Sequence, residues 1–102
     1  MTDSAAPHAY CVEYFYAKPG YRDKLVEALL KFVETVRAEP GCLQYDLLQD
    51  NNDKNLVILL VKFASRQLMQ QHEQQEYIKL FAENEMKKYC DKLIWNDGLE
   101  IK

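Results

Sequence analysis

The run of residues 56–63, LVILLVKF, constrains the fold more than any other segment of the chain. All of its positions up to Val61 are apolar, although successive side chains of a strand point to opposite faces of the sheet. Such a strand must be covered on both faces. Because a chain of 102 residues has enough helix to cover only one face, we expect the sheet of a second subunit to cover the other. The sequence thus predicts a homodimer.

The remaining apolar patterns predict the other elements of one domain, residues 10–102, after a flexible tail at residues 1–9. Strands are expected at 10–17, 42–49 and 93–95, with a loop at 50–55 and a turn at 96–98. Amphipathic helices are expected at 21–39 and at 64–89, the second with a break near Gln74 and Gln75. The order strand, helix, strand, strand, helix, strand predicts an α+β, ferredoxin-like antiparallel sheet with the first and third strands in its centre.

Charge and cysteine content exclude several classes of function. Lys and Arg number 13 against 16 Asp and Glu, a net charge of −3 that does not favour nucleic acid as a partner. Cys11, Cys42 and Cys90 are far apart, with no CxxC motif and no histidine at ligand spacing, so neither disulfides nor a metal site is expected. Residues 1–8 have no basic residue and no apolar core, which indicates neither a signal peptide nor a membrane anchor. We therefore expect a cytoplasmic protein with no membrane partner.

Three segments carry a resemblance to a known family: Lys18-Pro19-Gly20, the run EPGCLQYDLLQD at 39–50, and residues 56–72. Together they resemble the antibiotic biosynthesis monooxygenase (ABM) superfamily of dimeric α+β barrels, which includes small cofactor-independent quinol monooxygenases and autoinducer-2-degrading proteins. The resemblance covers residues 10–97. It implies a homodimeric barrel and an enzyme that needs no cofactor and oxidises a small aromatic or quinol-like substrate.

The resemblance also implies where the site lies. His72 falls where the superfamily usually has a histidine on the helix after the third strand, and Phe63 falls where many members have tryptophan. Val61 replaces an acidic residue, and Tyr77 replaces a second histidine of the quinol monooxygenase and autoinducer relatives. These two departures favour a protein that keeps the fold and has lost the monooxygenase reaction.

The haem-degrading branch of the superfamily is disfavoured. The positions of its asparagine, tryptophan and histidine correspond here to Glu13, His72 and Ala82, so the iron-ligand position has no ligating side chain.

We therefore predict His72 as the catalytic base, lying on or beside the buried helix face because it follows Leu68 by four residues. The competing interpretation is a core histidine satisfied by one hydrogen bond. Two other functions stay open: isomerisation or degradation of a phosphorylated autoinducer-2-like signal, and a non-catalytic dimeric module for small-molecule binding or stress response. The substrate pocket is predicted to include five further side chains: Glu13, Tyr14, Tyr45, Phe63 and Tyr77.

Overall fold

A computed structural model describes residues 6–102 and contains a four-stranded antiparallel sheet with helices on one face. The strand order is β2-β3-β1-β4, which places the first and third strands in the centre. This confirms the predicted α+β, ferredoxin-like architecture. The elements in chain order are β1 (Ala9–Ala17), α1 (Arg22–Arg37), β2 (Cys42–Gln49), β3 (Leu56–Phe63), α2 (Arg66–Glu73), α3 (Glu76–Glu83), α4 (Glu85–Tyr89) and β4 (Cys90–Leu99).

The hydrophobic core lies between the helices and one face of the sheet. Alternate residues of β3 are buried there, and Phe63 is 0% exposed. Leu25 and Val36 of α1 pack against the same core and are also 0% exposed. Burial of an aliphatic side chain of this size contributes about 1.5–3 kcal/mol to folding.

The opposite face of the sheet is only half-buried by the chain itself. Because side chains alternate along a strand, Tyr14 of β1 lies on that face, paired in register with Ile58 of β3 and Ile94 of β4. Leu60 lies two residues beyond Ile58 on the same face. We call this surface the open sheet face: Tyr10, Val12, Tyr14, Tyr16, Leu56, Ile58, Leu60 and Ile94.

The last strand is longer than predicted. The sequence predicts a strand at 93–95 and a turn at 96–98, but β4 runs from Cys90 to Leu99 and pairs with β1 along its length. Asp97 in the predicted turn lies opposite Cys11. The backbone hydrogen bonds offered by a central strand outweigh the local turn preference of an Asn-Asp-Gly sequence.

The structure also differs from the predicted end of the tail and from the predicted course of the second helix. Ala9, placed in the tail, is the first residue of β1 and is 3% exposed, whereas residues 1–5 lie outside the described residues. The predicted helix at 64–89 is broken after Glu73, as expected, and again at Asn84, which was not expected. Of the helices in residues 6–102, none is long and apolar enough to cross a membrane.

The turn between α1 and β2 depends on Gly41. Its φ is +79°, and a Cβ atom there would collide with the side chain of Leu68 on α2. Gly20 has a similar φ of +83° but has no neighbouring atom within 4 Å of such a Cβ. Gly20 therefore offers a matched control for the close approach of α2.

We expect Gly20→Ala to lower the free energy of unfolding by about 1–2 kcal/mol, the cost of a left-handed conformation for alanine. Gly41→Ala should cost about 1–3 kcal/mol more, because Leu68 must also move. Urea denaturation of both variants measures the difference. Equal losses in the two variants would contradict the close contact between Gly41 and α2.

Candidate functional site

The centre of the site is a hydrogen bond between His72 of α2 and Glu39. The His72 Nδ1 and Glu39 Oε1 atoms are 3.0 Å apart, and the two side chains are only 8% and 11% exposed. Glu39 follows the end of α1, and its backbone N–H donates to the carbonyl of Val36 at 2.9 Å. The Ser65 hydroxyl caps α2 by accepting from the N–H of Leu68 at 3.2 Å. Both partners are thus held by local backbone structure.

Tyr77 of α3 donates its hydroxyl to the other carboxylate oxygen of Glu39. Its ring stacks on Phe32 of α1, with ring centroids 5.5 Å apart. Burial, and then the hydrogen bond to Glu39, raises the pKa of Tyr77. Its hydroxyl therefore stays protonated and remains a donor, so each oxygen of Glu39 accepts one hydrogen bond.

This arrangement fixes the orientation of the imidazole. A carboxylate oxygen accepts hydrogen bonds, so the Nδ1 atom of neutral His72 carries the hydrogen and Nε2 carries the lone pair. Among the side-chain hydrogen bonds of residues 6–102, His72 takes part through Nδ1 and not through Nε2. The ring stacks on Phe63 with centroids 5.1 Å apart, and Tyr45 contacts it edge-on at 6.0 Å. These contacts hold the imidazole of His72 in one orientation.

His72 lines a cavity of about 350 Å³ between α2, β1 and β4, which we call the site cavity. A smaller cavity of about 90 Å³ extends further under the helices and shares Glu13, His72, Ile78 and Leu93 with it. The wall of the site cavity includes the carboxyl groups of Glu13, Glu73 and Asp97, and no lysine or arginine. In the described part of the chain, the cavity included, no group of three or more His, Cys, Asp or Glu side chains is arranged to hold a metal ion.

Glu13 lies on the central strand β1 and is the acid of the cavity wall whose pKa is shifted. Burial, and secondarily the nearby charge of Glu73, raises its pKa to about 7. The Cys11 thiol donates a long hydrogen bond to it, with Sγ 3.9 Å from Oε2. Burial and the charge of Glu13 raise the pKa of Cys11 to about 12, so Cys11 is a thiol and not a nucleophilic thiolate at neutral pH.

The structure brings together four of the six residues predicted for the site. Glu13 lines the cavity with His72, Tyr45 lines its inner part, and Tyr77 reaches it through Glu39. Phe63 contacts the imidazole but is fully buried behind it, so it supports the ring and does not form part of the wall. Tyr14 is placed on the open sheet face, away from the cavity, because it neighbours Glu13 on a strand.

Glu39 was not predicted as a site residue. It lies 33 residues from His72 in the sequence, and the helix pattern placed it at the end of α1. A signal for it exists, because the negative end of the helix dipole disfavours a carboxylate at a helix C-terminus. An acid directly before Pro40-Gly41 therefore requires a partner elsewhere in the fold.

Comparison with known proteins places the fold among solved structures. Protein SO0527 of Shewanella oneidensis has a TM-score of 0.89 and 21% identity, covering 92% of this chain and 91% of its own. Protein PA3566 of Pseudomonas aeruginosa has a TM-score of 0.86 and 24% identity, covering 95% and 97%. At these identities the likeness shows the fold.

Sequence comparison identifies relatives as well. Protein sll1783 of Synechocystis is 27% identical over 66 residues, which are 65% of this chain and 45% of that protein. The chain thus matches less than half the length of that relative. The family described as antibiotic biosynthesis monooxygenase matches residues 9–84. The chain therefore belongs to the antibiotic biosynthesis monooxygenase family.

Proposed function

We propose that this protein is a monooxygenase that oxidises a small, electron-rich aromatic of the quinol type with dioxygen and without a bound cofactor. The observation that carries the proposal is that His72 lines the site cavity while its Nδ1 atom is bonded to Glu39, which leaves Nε2 as the ring nitrogen that can act as a base. A quinol becomes a much stronger electron donor when it loses a proton. A positioned base is therefore the main chemical requirement of the reaction.

In the proposed mechanism, Nε2 of His72 removes a proton from a quinol hydroxyl. Glu39 stabilises the resulting imidazolium, as the carboxylate of a catalytic triad does, and Tyr77 holds Glu39 in place. The quinol anion then passes electrons to dioxygen and a carbon–oxygen bond forms at the ring. Loss of water from the peroxide gives a hydroxyquinone and returns the proton from His72. One oxygen atom enters the product, the other leaves as water, and the substrate supplies all four electrons.

The charge of the site cavity favours this substrate over a phosphorylated signal of the autoinducer-2 type. Glu13, Glu73 and Asp97 line the cavity and no lysine or arginine does, so a phosphate group would meet no cation there. The third possibility, a non-catalytic module, has no need of a buried imidazole held by a carboxylate. Burying such a pair costs desolvation energy that its attraction only partly repays, so the His72–Glu39 pair is poorly explained by a contribution to stability alone.

The first test replaces His72. We expect His72→Ala to lower the rate of quinol oxidation by roughly two to four orders of magnitude, the usual contribution of a positioned base. Oxygen uptake with a panel of hydroquinones measures the rate, and thermal unfolding measures the folded fraction. A variant that is destabilised but oxidises quinols at an unchanged rate per folded molecule would contradict the catalytic role. A wild type that oxidises none of the panel would contradict the proposed function.

The second test concerns Tyr77. Tyr77→Phe keeps the stacking on Phe32 but removes the hydrogen bond to Glu39, so we expect a rate lowered by about 3- to 30-fold. Tyr89→Phe is the matched control, because Tyr89 stacks on Tyr21 at 5.9 Å and has no contact with Glu39. Steady-state kinetics on both variants make the comparison. Equal effects of the two substitutions would show that Tyr77 does not position Glu39.

We also propose that two copies of the chain pair through the open sheet face. This face carries a continuous apolar surface from β1, β3 and β4 that the chain leaves half-buried. On the two central strands, Tyr14 is paired with Ile58 and Val12 with Leu60. Pairing of two such faces would complete the α+β barrel and place the two site cavities on its outer sides.

The proposal predicts a dimer of twice the 12.0 kDa chain mass in light scattering. Ile58→Lys should shift it toward the monomer, because pairing would bury an uncompensated charge. Leu30→Lys is the control, since Leu30 is an apolar residue of α1 that is 55% exposed on the other side of the molecule. A wild type that is monomeric at micromolar concentration would contradict the proposal.

A further inference from the structure

Glu13 lies in the wall that the two cavities share, together with His72. It projects from the middle of the central strand, where β3 and β4 pair with β1 on either side and restrict its movement. We propose that Glu13 is a second catalytic group of the site: in its neutral form it donates a hydrogen bond to the second oxygen of a dioxygenated aromatic, while His72 takes the proton of the first. This assignment rests on the proposed function and gives each of the two oxygen groups of the quinol its own partner in the site.

The groups around Glu13 favour its neutral form. On its own strand it meets the Cys11 thiol, and β4 contributes Asp97. Helix α2 contributes Glu73 and His72, and β2 contributes Tyr45, whose hydroxyl is protonated because burial raises its pKa. No lysine or arginine is among the residues that line either cavity. A buried carboxylate without a cation is unfavourable, so the proton is retained up to a pH of about 7.

A neutral carboxyl group has one O–H donor, and the surrounding side chains leave it free for a ligand. Cys11 donates to Glu13 Oε2 and so does not compete for the O–H. An acceptor in the cavity would be the carbonyl of a quinone or the oxygen of a quinol. As the ring gives up its electrons to dioxygen, the second oxygen loses its own proton and becomes a carbonyl oxygen, and a hydrogen bond from an acid stabilises the partial negative charge on it without net proton transfer.

A binding experiment tests the donor role without requiring turnover. Duroquinone is a suitable probe, because it has two carbonyl acceptors, no titratable group and no free ring position for addition of a thiol. We expect its affinity for the wild type to fall by about tenfold between about pH 5.5 and about pH 8.5, as Glu13 loses its proton. Quenching of Trp95 fluorescence, from a residue of the cavity wall, reports binding.

Two variants separate Glu13 from the other titrating groups. Glu13→Gln keeps an N–H donor of the same shape, so its affinity should equal that of the wild type at low pH and should not fall as pH rises. Glu73→Gln is the matched control and should keep the pH dependence with a lower midpoint, since the charge of Glu73 raises the pKa of Glu13. If titration of His72 caused the pH dependence of the affinity, that dependence would persist in Glu13→Gln. The variant therefore distinguishes ionisation of Glu13 from that of His72.

Stability gives an independent check of the same ionisation. The pKa of Glu13 is higher in the folded protein, about 7, than its ordinary value of 4.5, so the folded state binds the proton more tightly than the unfolded chain. The free energy of unfolding should therefore fall as pH rises from 4.5 to about 7, and Glu13→Gln should lack this part of the fall.

The outcomes distinguish this inference from the proposed function. Absence of duroquinone binding, binding that does not depend on pH, or an equal pH dependence in Glu13→Gln would each overturn the role of Glu13. If the expected binding pattern appears but no quinol is oxidised, the proposed oxidation fails and the donor role stands. Quinol oxidation with binding that is independent of pH would overturn the donor role alone.

Discussion

The hydrogen bond between Glu39 and His72 is the interaction on which the chemistry of this protein depends. It joins the end of α1 to α2 across 33 residues of sequence, at a separation of 3.0 Å. Gly41, two residues after Glu39, makes it possible, because only a residue without Cβ lets Leu68 approach the turn. His72 lies one helical turn beyond Leu68 on α2. The tight turn that ends α1 thus sets the position of the imidazole.

Side chains of the central strand β1 point alternately to the two faces of the sheet, and the two faces have different roles. Cys11, Glu13 and Phe15 face the helices, where Glu13 reaches the site cavity. Tyr14 faces the other way and contributes to the open sheet face. Because adjacent residues point to opposite faces, the chain can use one face for a substrate and the other for a second copy. The same strand therefore links the proposed chemistry to the proposed assembly.

Much of the fold could be predicted because its signals are local. The apolar run of β3, the amphipathic period of α1 and the polar loop at 50–55 each specify an element without reference to the rest of the chain. The length of β4 could not be predicted, since Asp97 and its neighbours are held by pairing with β1 and not by their own preference. The face of Tyr14 could have been predicted from Glu13, because two adjacent strand residues cannot line one cavity.

The candidate site was predicted only in part for a related reason. His72 was identified from the resemblance and from its place beside the buried helix face, but its partner Glu39 lies on a different element. Side-chain contacts between distant segments leave no periodic pattern in a sequence. The acidic character of the cavity likewise emerges only when β1, α2 and β4 contribute Glu13, Glu73 and Asp97 to one wall.

The tautomer of His72 is the property that tests this interpretation most directly. The sequence contains only 2 histidines, so nitrogen-15 NMR of the labelled protein can assign the His72 ring by comparison with a His8→Gln variant. At a pH where the ring is neutral, the hydrogen bond to Glu39 predicts a hydrogen on Nδ1 and an unprotonated Nε2. A hydrogen found on Nε2 in the wild type would contradict it, because that nitrogen could not then accept a proton from a substrate.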